Sequence, residues 1–217
     1  MTDVLRDHLA PNTLDYLAGW ELQRRIHREV VTGVRRDTLV LCEHDPVFTA
    51  GKRTLPAERP TTGAPVIDTD RGGKITWHGP GQLTGYPIVR LVEPHDVLAF
   101  VRDLEALMIE VAATFGVAGE RVAGRSGVWV RSGATWEKIG AIGLRVKEGV
   151  TMHGFALNCD NDLAPYADIV ACGIRDAGVT TMTAVAGRRA TVEQAADVVA
   201  ARFDAIVRTA QTAGVRA

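Results

Sequence analysis

A glycine-rich stretch at residues 68–87, DTDRGGKITWHGPGQLTGYP, constrains the fold more than any other part of the chain. Its paired glycines let the backbone approach a ligand closely, since no Cβ stands in the way. Arg71 and Lys74 could meet an anion, and His78 can move a proton near neutral pH. A tight hairpin would also explain glycine and proline here, but a turn does not need Arg, Thr, Trp, His and Gln together. The stretch therefore predicts a ligand site within a β-rich core.

Length and composition indicate one globular domain covering residues 1–217. The chain has 217 residues, of which 46% are hydrophobic, and can bury a sizeable core without disulfides or a structural metal. A formal net charge of -1 argues against a general nucleic-acid binder. The basic pairs at 24–25, 35–36 and 188–189 could form a docking patch or simply be solvated surface.

The first residues, the lack of a long apolar run and the cysteines predict a cytoplasmic protein with reduced thiols. The first residues lack the basic segment and apolar core of a signal peptide. No apolar run approaches the roughly 18 residues that a membrane span needs. Cys42, Cys159 and Cys172 are an odd number without a CxxC pair, so neither a disulfide framework nor a thiolate zinc site is expected.

Hydrophobic periodicity predicts the secondary structure. Helices are expected at 13–31, 96–115 and 191–213, and strands at 38–44, 65–68, 74–77, 83–91, 127–131, 138–146 and 150–158. Residues 44–53 are predicted to be a connecting loop, and residues 159–187 an irregular segment. This order favours an α+β or mixed α/β fold with a largely antiparallel sheet flanked by helices.

Several details of these elements are also predicted. Lys147, Glu148 and Gly149 indicate a hairpin between the last two strands, and Thr191 with Gln194 indicates a capping box. The core-facing stripe of the first helix should contain Leu14, Leu17, Leu22, Ile26 and Val30. The stripe of the second should contain Val97, Val101, Leu104, Met108 and Val111.

Cys172 is the candidate nucleophile. It precedes Gly173 in a loop, where a thiol can be exposed and backbone N–H groups can face an oxyanion. Cys42 and Cys159 are interpreted as buried small hydrophobes. A reactive thiolate needs a cation nearby. Lys138, at the start of a strand of small residues, is a candidate, although it could equally be a strand-end lysine in solvent.

The histidines offer weaker signals. His78 and His153 each occupy a His-Gly step at the end of an apolar strand, as a structural or a helping imidazole would. His44 and Asp45 with His78 could be imagined as metal ligands, but no metal-ligand spacing supports them. RGGK matches neither common phosphate-loop pattern. The residues alone thus predict an enzyme with a cysteine nucleophile, without identifying its substrate.

Taken together, the motifs resemble a known family. RGGKITWHGPGQLTGYP is similar to the signature of the lipoyl(octanoyl) transferases. The resemblance continues through EHDPVFTAGKR, GRSGVWV, KIGAIGLRV, HGFALNCDNDL and ACGI, and covers residues 38–185. It implies a fold similar to the catalytic modules of lipoate and biotin protein ligases.

The resemblance also implies a chemistry. Octanoyl-acyl carrier protein would pass its acyl group to a cysteine matching Cys172, whose pKa a lysine matching Lys138 lowers. The acceptor would be a lysine on lipoyl domains of 2-oxoacid dehydrogenase and glycine cleavage proteins. Neither metal nor nucleotide cofactor would be needed, because the thioester is already activated. The residues matching the acyl-binding segments are Arg71, Gly72, Gly73, Lys74, Ile75, Thr76, Trp77, His78, Ala141, Ile142, Gly143, Gly154, Phe155 and Ala156.

Some points stay open. Lys138, His78 or His153 could take the proton from the incoming amine, with His44 as a further auxiliary. Ala171 replaces a usual proline before the cysteine, and Tyr166 replaces a common phenylalanine. An ATP-using ligase of the same fold and a non-catalytic binding protein are the alternatives. The chain is expected to act as a monomer, without nucleic acid or membrane.

Overall fold

The computed structural model describes residues 2–92, 96–174 and 176–212, except for the side chains of Cys172 and of residues 206–212. The N-terminal half contains β1 (Asp3–His8), α1 (Tyr16–Val31), β2 (Thr38–Cys42), β3 (Val47–Ala50), β4 (Val66–Asp68), β5 (Thr76–His78), β6 (Gln82–Ile88) and α2 (Val97–Thr114). The C-terminal half contains β7 (Glu120–Val122), β8 (Arg125–Ser132), β9 (Thr135–Lys147), β10 (Val150–Asn158), β11 (Gly178–Val179), α3 (Met182–Ala186) and α4 (Val192–Thr212).

Two sheets organise these elements. The larger follows the order β1-β2-β6-β10-β9-β8-β7, with β11 pairing beside β9, and the smaller follows β4-β3-β5. Strand pairs are antiparallel except β1 with β2, β3 with β4 and β11 with β9. The predicted mixed, largely antiparallel sheet with flanking helices is confirmed.

The large sheet is buried on both faces, as β2 illustrates. Leu39 and Leu41 belong to the cluster that also contains buried residues of α2 and α4, whereas Val40 and Cys42 belong to the cluster of α1. Because side chains alternate between the faces of a strand, helices must cover each face. This explains why β2 is an uninterrupted apolar run.

The predicted local signals are confirmed. Glu148 (φ 53°) and Gly149 (φ 74°) form the two-residue link between β9 and β10, with Lys147 paired to Val150. Two positive φ values match the twist that tight hairpins need. At the start of α4 the Gln194 N–H donates to Thr191 Oγ1 (3.2 Å) and the Thr191 N–H donates to Gln194 Oε1 (3.4 Å).

Other predictions were wrong in detail. Residues 44–53 include a strand, β3, and the strands β1 and β7 were not predicted. Leu17 is 55% exposed and Val97 37% exposed, so neither belongs to a buried stripe. In α1 the polar residues Gln23 and His27 are buried instead. The α1 face turns toward acceptors in the sheet, since His27 Nε2 lies 3.0 Å from the Lys147 carbonyl oxygen.

The segment 159–187 is less irregular than predicted, since it contains two 3-10 helices, β11 and α3. The 3-10 helices span Ala164–Asp168 and Ala171–Gly173. Among the described helices, none is long and apolar enough to cross a membrane.

Candidate active site

A cavity of about 270 Å³ lies between the large sheet, the start of α1 and the glycine-rich loop. Many of the predicted site residues line it: Arg71, Gly73, Lys74, Thr76, His78, Lys138, Ala141, Ile142, Gly143, His153, Gly154, Phe155 and Ala156. Gly72, Ile75, Trp77 and His44 are not among its lining residues. Residues as far apart in sequence as Arg71 and Ala156 thus line the same cavity.

Small side chains form the floor of this cavity. Thr84, Ala156 and Ala141 are direct cross-strand partners on β6, β10 and β9. A Cβ on Gly154 would overlap the carbonyl oxygen of Gly85, and one on Gly143 would lie 2.9 Å from the Gly72 carbonyl oxygen. We call these five residues, with Lys138, the sheet wall. Its glycines are required by close backbone packing.

A β-bulge turns Lys138 toward the cavity. Val128 pairs with Gly140 and Trp129 with Lys138, so β9 carries one extra residue at Ile139. The extra residue shifts the alternation of side chains, which lets Lys138 and Ala141 line the same cavity although they are three positions apart. Periodicity alone did not indicate this bulge.

Lys138 is held in place by an aromatic ring. Its ammonium lies 4.5 Å from the centroid of the Trp129 ring, within the range of a cation–π interaction. The residue is only 8% exposed. No carboxylate in the described part of the chain forms an ion pair with it. The prediction of a solvent-exposed strand-end lysine is therefore excluded.

Arg71 braces the glycine-rich loop from inside. Its Nη1 donates to the carbonyl oxygens of Gly72 (3.1 Å) and Lys74 (2.9 Å). Its Nη2 donates to the carbonyl oxygen (2.8 Å) and hydroxyl (2.9 Å) of Thr49 on β3. These donors are used within the protein, so Arg71 shapes the loop against the smaller sheet.

Lys74 lies close to Gly173, the residue after Cys172. Its ammonium pairs with the carboxylate of Glu58. A Cβ built on Gly173, whose φ is 69°, would lie 2.5 Å from Lys74 Nζ. Lys74 therefore lies against residues 170–174, which we call the cysteine turn.

Cys172 lies in the middle of the cysteine turn, within the 3-10 helix Ala171–Gly173. Its thiol is outside the described side chains, so the backbone alone locates it. Ile174, at the end of the turn, lines the cavity, which brings this backbone to the cavity edge. Cys42 and Cys159 are fully buried, and burial raises the pKa of both thiols. They fit the structural role predicted for them.

His44 is occupied by core hydrogen bonds. Its Nδ1 donates to the Leu14 carbonyl oxygen (2.7 Å), and its Nε2 accepts from the Tyr86 hydroxyl (2.5 Å). Burial lowers the pKa of His44 to about 4. The ring is neutral, and both nitrogens serve the packing of α1 against β6.

His153 braces Asp70 at the start of the glycine-rich loop. It has a positive φ of 57°, which is uncommon for a non-glycine residue. Its N–H donates to Gln23 Oε1 (2.9 Å), and its Nε2 donates to Asp70 (2.6 Å), which also pairs with Arg145. Burial and the nearby guanidinium groups, led by that of Arg71, lower the pKa of His153 to about 3. The neutral ring is therefore a donor to Asp70.

His78 differs from His44 and His153 because its Nδ1 is hydrogen-bonded to Gln82, which in turn bonds Asn158 and Tyr166. Its Nδ1 donates to Gln82 Oε1 (2.7 Å), and its ring stacks on Tyr16 at 5.9 Å between centroids. Burial, followed by His44 and Arg71, lowers the pKa of His78 to about 3. The proton on Nδ1 leaves Nε2 as a bare acceptor. Within the described residues, no partner is recorded for that atom.

Gln82 links His78 to the segment that precedes the cysteine turn. Its Nε2 donates to Asn158 Oδ1 and to the Tyr166 hydroxyl, both at 2.9 Å. The Tyr166 hydroxyl donates in turn to the Trp77 carbonyl oxygen (3.3 Å). Sequence reasoning did not assign Gln82 or Asn158 to the site. Tyr166 in place of the common phenylalanine was the one sequence signal for this network, because its hydroxyl adds a hydrogen-bonding group.

No metal centre emerges from these side chains. In the described part of the chain, no three His, Cys, Asp or Glu side chains come together as ligands. His44, His78 and His153 instead each have a ring nitrogen in the hydrogen bonds given above.

Comparison with known proteins identifies the family of this chain. Residues 15–204 match the lipoyl protein ligase A/B catalytic domain. The chain is 58% identical to an octanoyltransferase of Leifsonia xyli subsp. xyli, over 92% of this chain and 90% of the relative. It is 60% identical to an octanoyltransferase of Mycolicibacterium smegmatis, over 87% of this chain and 83% of the relative.

Solved structures agree with the fold. A putative lipoate protein ligase from T. acidophilum with bound lipoic acid superposes with a TM-score of 0.73 at 14% identity, covering 96% of this chain and 86% of that one. A biotin protein ligase from Aquifex aeolicus gives a TM-score of 0.54 at 12% identity, covering 96% and 70%. The predicted similarity to both ligase modules is confirmed. The chain therefore belongs to the octanoyltransferases, within the lipoyl protein ligase A/B catalytic-domain family.

Proposed function

We propose that this chain moves an octanoyl group from octanoyl-acyl carrier protein onto Cys172, and from there onto a lysine of a lipoyl domain. The observation that carries the proposal is the cavity itself. It joins Lys138 to the three predicted acyl-binding segments and reaches the cysteine turn at Ile174. The identity to octanoyltransferases over most of the chain supports the choice of acyl group and donor class.

In the first step the Cys172 thiolate attacks the carbonyl carbon of the donor thioester. The new C–S bond forms as the carrier thiolate leaves and takes a proton, which gives an octanoyl thioester on the enzyme. A cation close to the thiol favours its ionised form. Lys138, buried without a carboxylate partner among the described residues, supplies that cation at the sheet wall.

In the second step a neutral lysine amine of the lipoyl domain attacks the acyl-enzyme. An amide bond forms, the C–S bond to Cys172 breaks, and the nitrogen loses one proton. Cysteine suits both steps because it is a strong nucleophile and a good leaving group. His78 and His153 both line the cavity. The unprotonated Nδ1 of His153 is fully buried without a partner among the described residues, so we assign the proton to the unprotonated Nε2 of His78.

The acyl chain itself is proposed to lie along the sheet wall. Ala141, Ala156 and Ile142 present apolar surface there, and no lining residue among those described is acidic. Burying each CH₂ group contributes roughly 0.8 kcal/mol. Shortening the acyl chain by two carbons should therefore weaken its binding by about tenfold.

We propose that residues 1–217 act as one catalytic domain and as a monomer.

Intact-mass spectrometry tests the covalent step. Wild-type protein incubated with octanoyl-acyl carrier protein should gain one octanoyl group that hydroxylamine removes. Cys172→Ala should gain none, whereas Cys159→Ala, which removes a buried thiol, should gain one. A full hydroxylamine-sensitive adduct on Cys172→Ala would overturn the assignment of the nucleophile.

A further inference from the structure

The cavity concentrates positive charge in a chain whose formal net charge is -1. Among the described residues that line it, five are basic and none is acidic; the five are Arg53, Arg71, Lys74, Arg125 and Lys138. Arg71 and Lys138 are 7% and 8% exposed and belong to the interior. Arg53 is exposed, and the side chains of Lys74 and Arg125 are 28% and 29% exposed. Arg53, Lys74 and Arg125 therefore form the rim of the cavity.

The three rim cations differ in how much charge they can offer a ligand. Lys74 is neutralised by Glu58, whose side chain is only 6% exposed. Arg125 donates at 2.5 Å to Asp176, whose side chain is 71% exposed and easily exchanged with solvent. No ion pair of Arg53 is recorded within the described residues. Among the described rim residues, Arg53 is thus open to an incoming anion, and Arg125 can be freed by exchange of the exposed Asp176.

Both arginines line the same cavity as Ile174 at the end of the cysteine turn. The Arg53 N–H donates to the Gly73 carbonyl oxygen (3.1 Å), which fixes its loop to the glycine-rich stretch. Gly124, Arg125 and Ser126 line the rim at the start of β8, and Ile174 contributes the end of the cysteine turn. A thioester that reaches Cys172 through this opening must leave its carrier arm between these segments.

We propose that Arg53 and Arg125 form a subsite for the phosphodiester of the donor's phosphopantetheine arm. The inference rests on the proposed function, because the thioester of an acyl carrier protein hangs from that arm. Guanidinium groups bind phosphate oxygens through paired, charge-assisted hydrogen bonds. The acyl chain occupies the interior along Ala141, Ile142 and Ala156, while the anionic group of the arm meets the rim. Asp176 holds Arg125 until the phosphodiester arrives.

Two small donors that differ only in phosphate test this subsite. The second-order rate constant for acylation of the enzyme is measured with octanoyl-4′-phosphopantetheine and with octanoyl-pantetheine. Wild-type protein should prefer the phosphorylated donor by about fivefold, since hydrogen bonds to charged groups contribute modestly at partly exposed sites. Raising the salt concentration should reduce this ratio. Neither donor carries a protein, so acidic surfaces of the carrier cannot produce the effect.

Three variants assign the ratio to its residues. Arg53→Met should bring it close to one, and Asp176→Asn should raise it by releasing Arg125. Lys52→Met removes a neighbouring exposed cation that does not line the cavity, and should leave the ratio unchanged. Equal rates with both donors in the wild type, or an unaltered ratio in Arg53→Met, would overturn the subsite while the acyl-enzyme still forms. Failure of both donors to acylate the wild type would overturn the proposed function as well.

Discussion

The sheet wall and the cysteine turn face the same cavity but are built in different ways. The wall belongs to adjacent strands joined by ladder hydrogen bonds, and its glycines permit backbone contacts that any Cβ would block. The cysteine turn is a single 3-10 helical turn that belongs to no strand ladder. Lys74 packs on Gly173, and the Val170 N–H donates to the Glu58 carbonyl oxygen (3.2 Å).

This difference separates two tasks. Hydrogen bonds between adjacent strands fix the positions of the wall residues. Fixed positions suit the binding of an acyl chain of one length. The turn is held instead by single contacts, such as that of Lys74 with Gly173 and the hydrogen bond from the Val170 N–H to the Glu58 carbonyl oxygen, so its placement can be altered without unfolding the protein. Substitutions of the wall glycines should therefore reduce stability, and substitutions around the turn should chiefly reduce the rate of acyl transfer.

The largest effect is expected from Gly154→Ala. The new Cβ would overlap the Gly85 carbonyl oxygen, and backbone in the middle of a sheet cannot move aside cheaply. We expect the free energy of unfolding, measured in urea, to fall by about 3 kcal/mol or more. Gly178→Ala is the matched control, because its Cβ would meet only the flexible end of Glu137. Equal losses in the two variants would contradict the account of the wall.

Lys138→Met should have the next largest effect, on chemistry rather than on stability. Methionine keeps the apolar stem against Trp129 but removes the charge that favours the thiolate. Acylation by octanoyl-acyl carrier protein should slow by about 100-fold, and alkylation of Cys172 by iodoacetamide should require higher pH. Lys74→Met, which removes a cation already paired with Glu58, should slow acylation by only about tenfold. A larger loss in Lys74→Met would assign the activating charge to the turn instead of the wall.

The buried histidines predict a pH-dependent stability. Burial lowers the pKa of His44 to about 4 and that of His78 to about 3, whereas both titrate near 6.5 in the unfolded chain. Between those values the unfolded chain binds more protons than the folded one, so the free energy of unfolding should fall as the pH is lowered from 6.5 to 4. His153, whose pKa is lowered to about 3, adds to this difference, so the slope should correspond to up to about three protons.

The matched variant for this measurement is His78→Asn. It should reduce the slope of unfolding free energy against pH by about one proton. An unchanged slope would mean that His78 is not neutral in the folded protein, and would remove it as the proposed proton acceptor.

Tyr166→Phe should have the smallest effect. It removes the hydroxyl that accepts from Gln82 and donates to the Trp77 carbonyl oxygen, while the ring can still contact Trp77. One such hydrogen bond contributes about 1 kcal/mol, so kcat/KM should fall by about fivefold while the urea midpoint changes little. A loss of stability without a loss of activity would make the network structural and leave the turn unaffected.

The sequence predicted the strands of the wall better than the features that depend on distant residues, for physical reasons. Alternating small and apolar residues followed by Lys147-Glu148-Gly149 specify a hairpin locally, and β10 forms at the predicted residues 150–158. The bulge at Ile139 and the bonds of Gln82 depend on residues far apart in the chain. Hydrophobic periodicity, which depends on neighbouring residues, cannot predict them.

Buried polar residues caused the remaining differences. Gln23 and His27 replace Leu17 on the buried face of α1 because their partners lie on β10 and at the end of β9. A hydrophobic pattern cannot anticipate such partners. The motifs identified Cys172 and Lys138 as candidates, whereas the division of roles among His44, His78 and His153 required their hydrogen bonds.

A single-turnover chase tests the central claim most directly, namely that Cys172 passes the acyl group onward. The octanoylated enzyme is freed of donor and mixed with a lipoyl domain, with ATP and carrier protein both omitted. The proposed mechanism predicts that the enzyme loses its octanoyl group as the domain gains one in equal amount, through an amide that hydroxylamine leaves intact. An adduct that persists, is lost only to water, or moves only when ATP is added would contradict it.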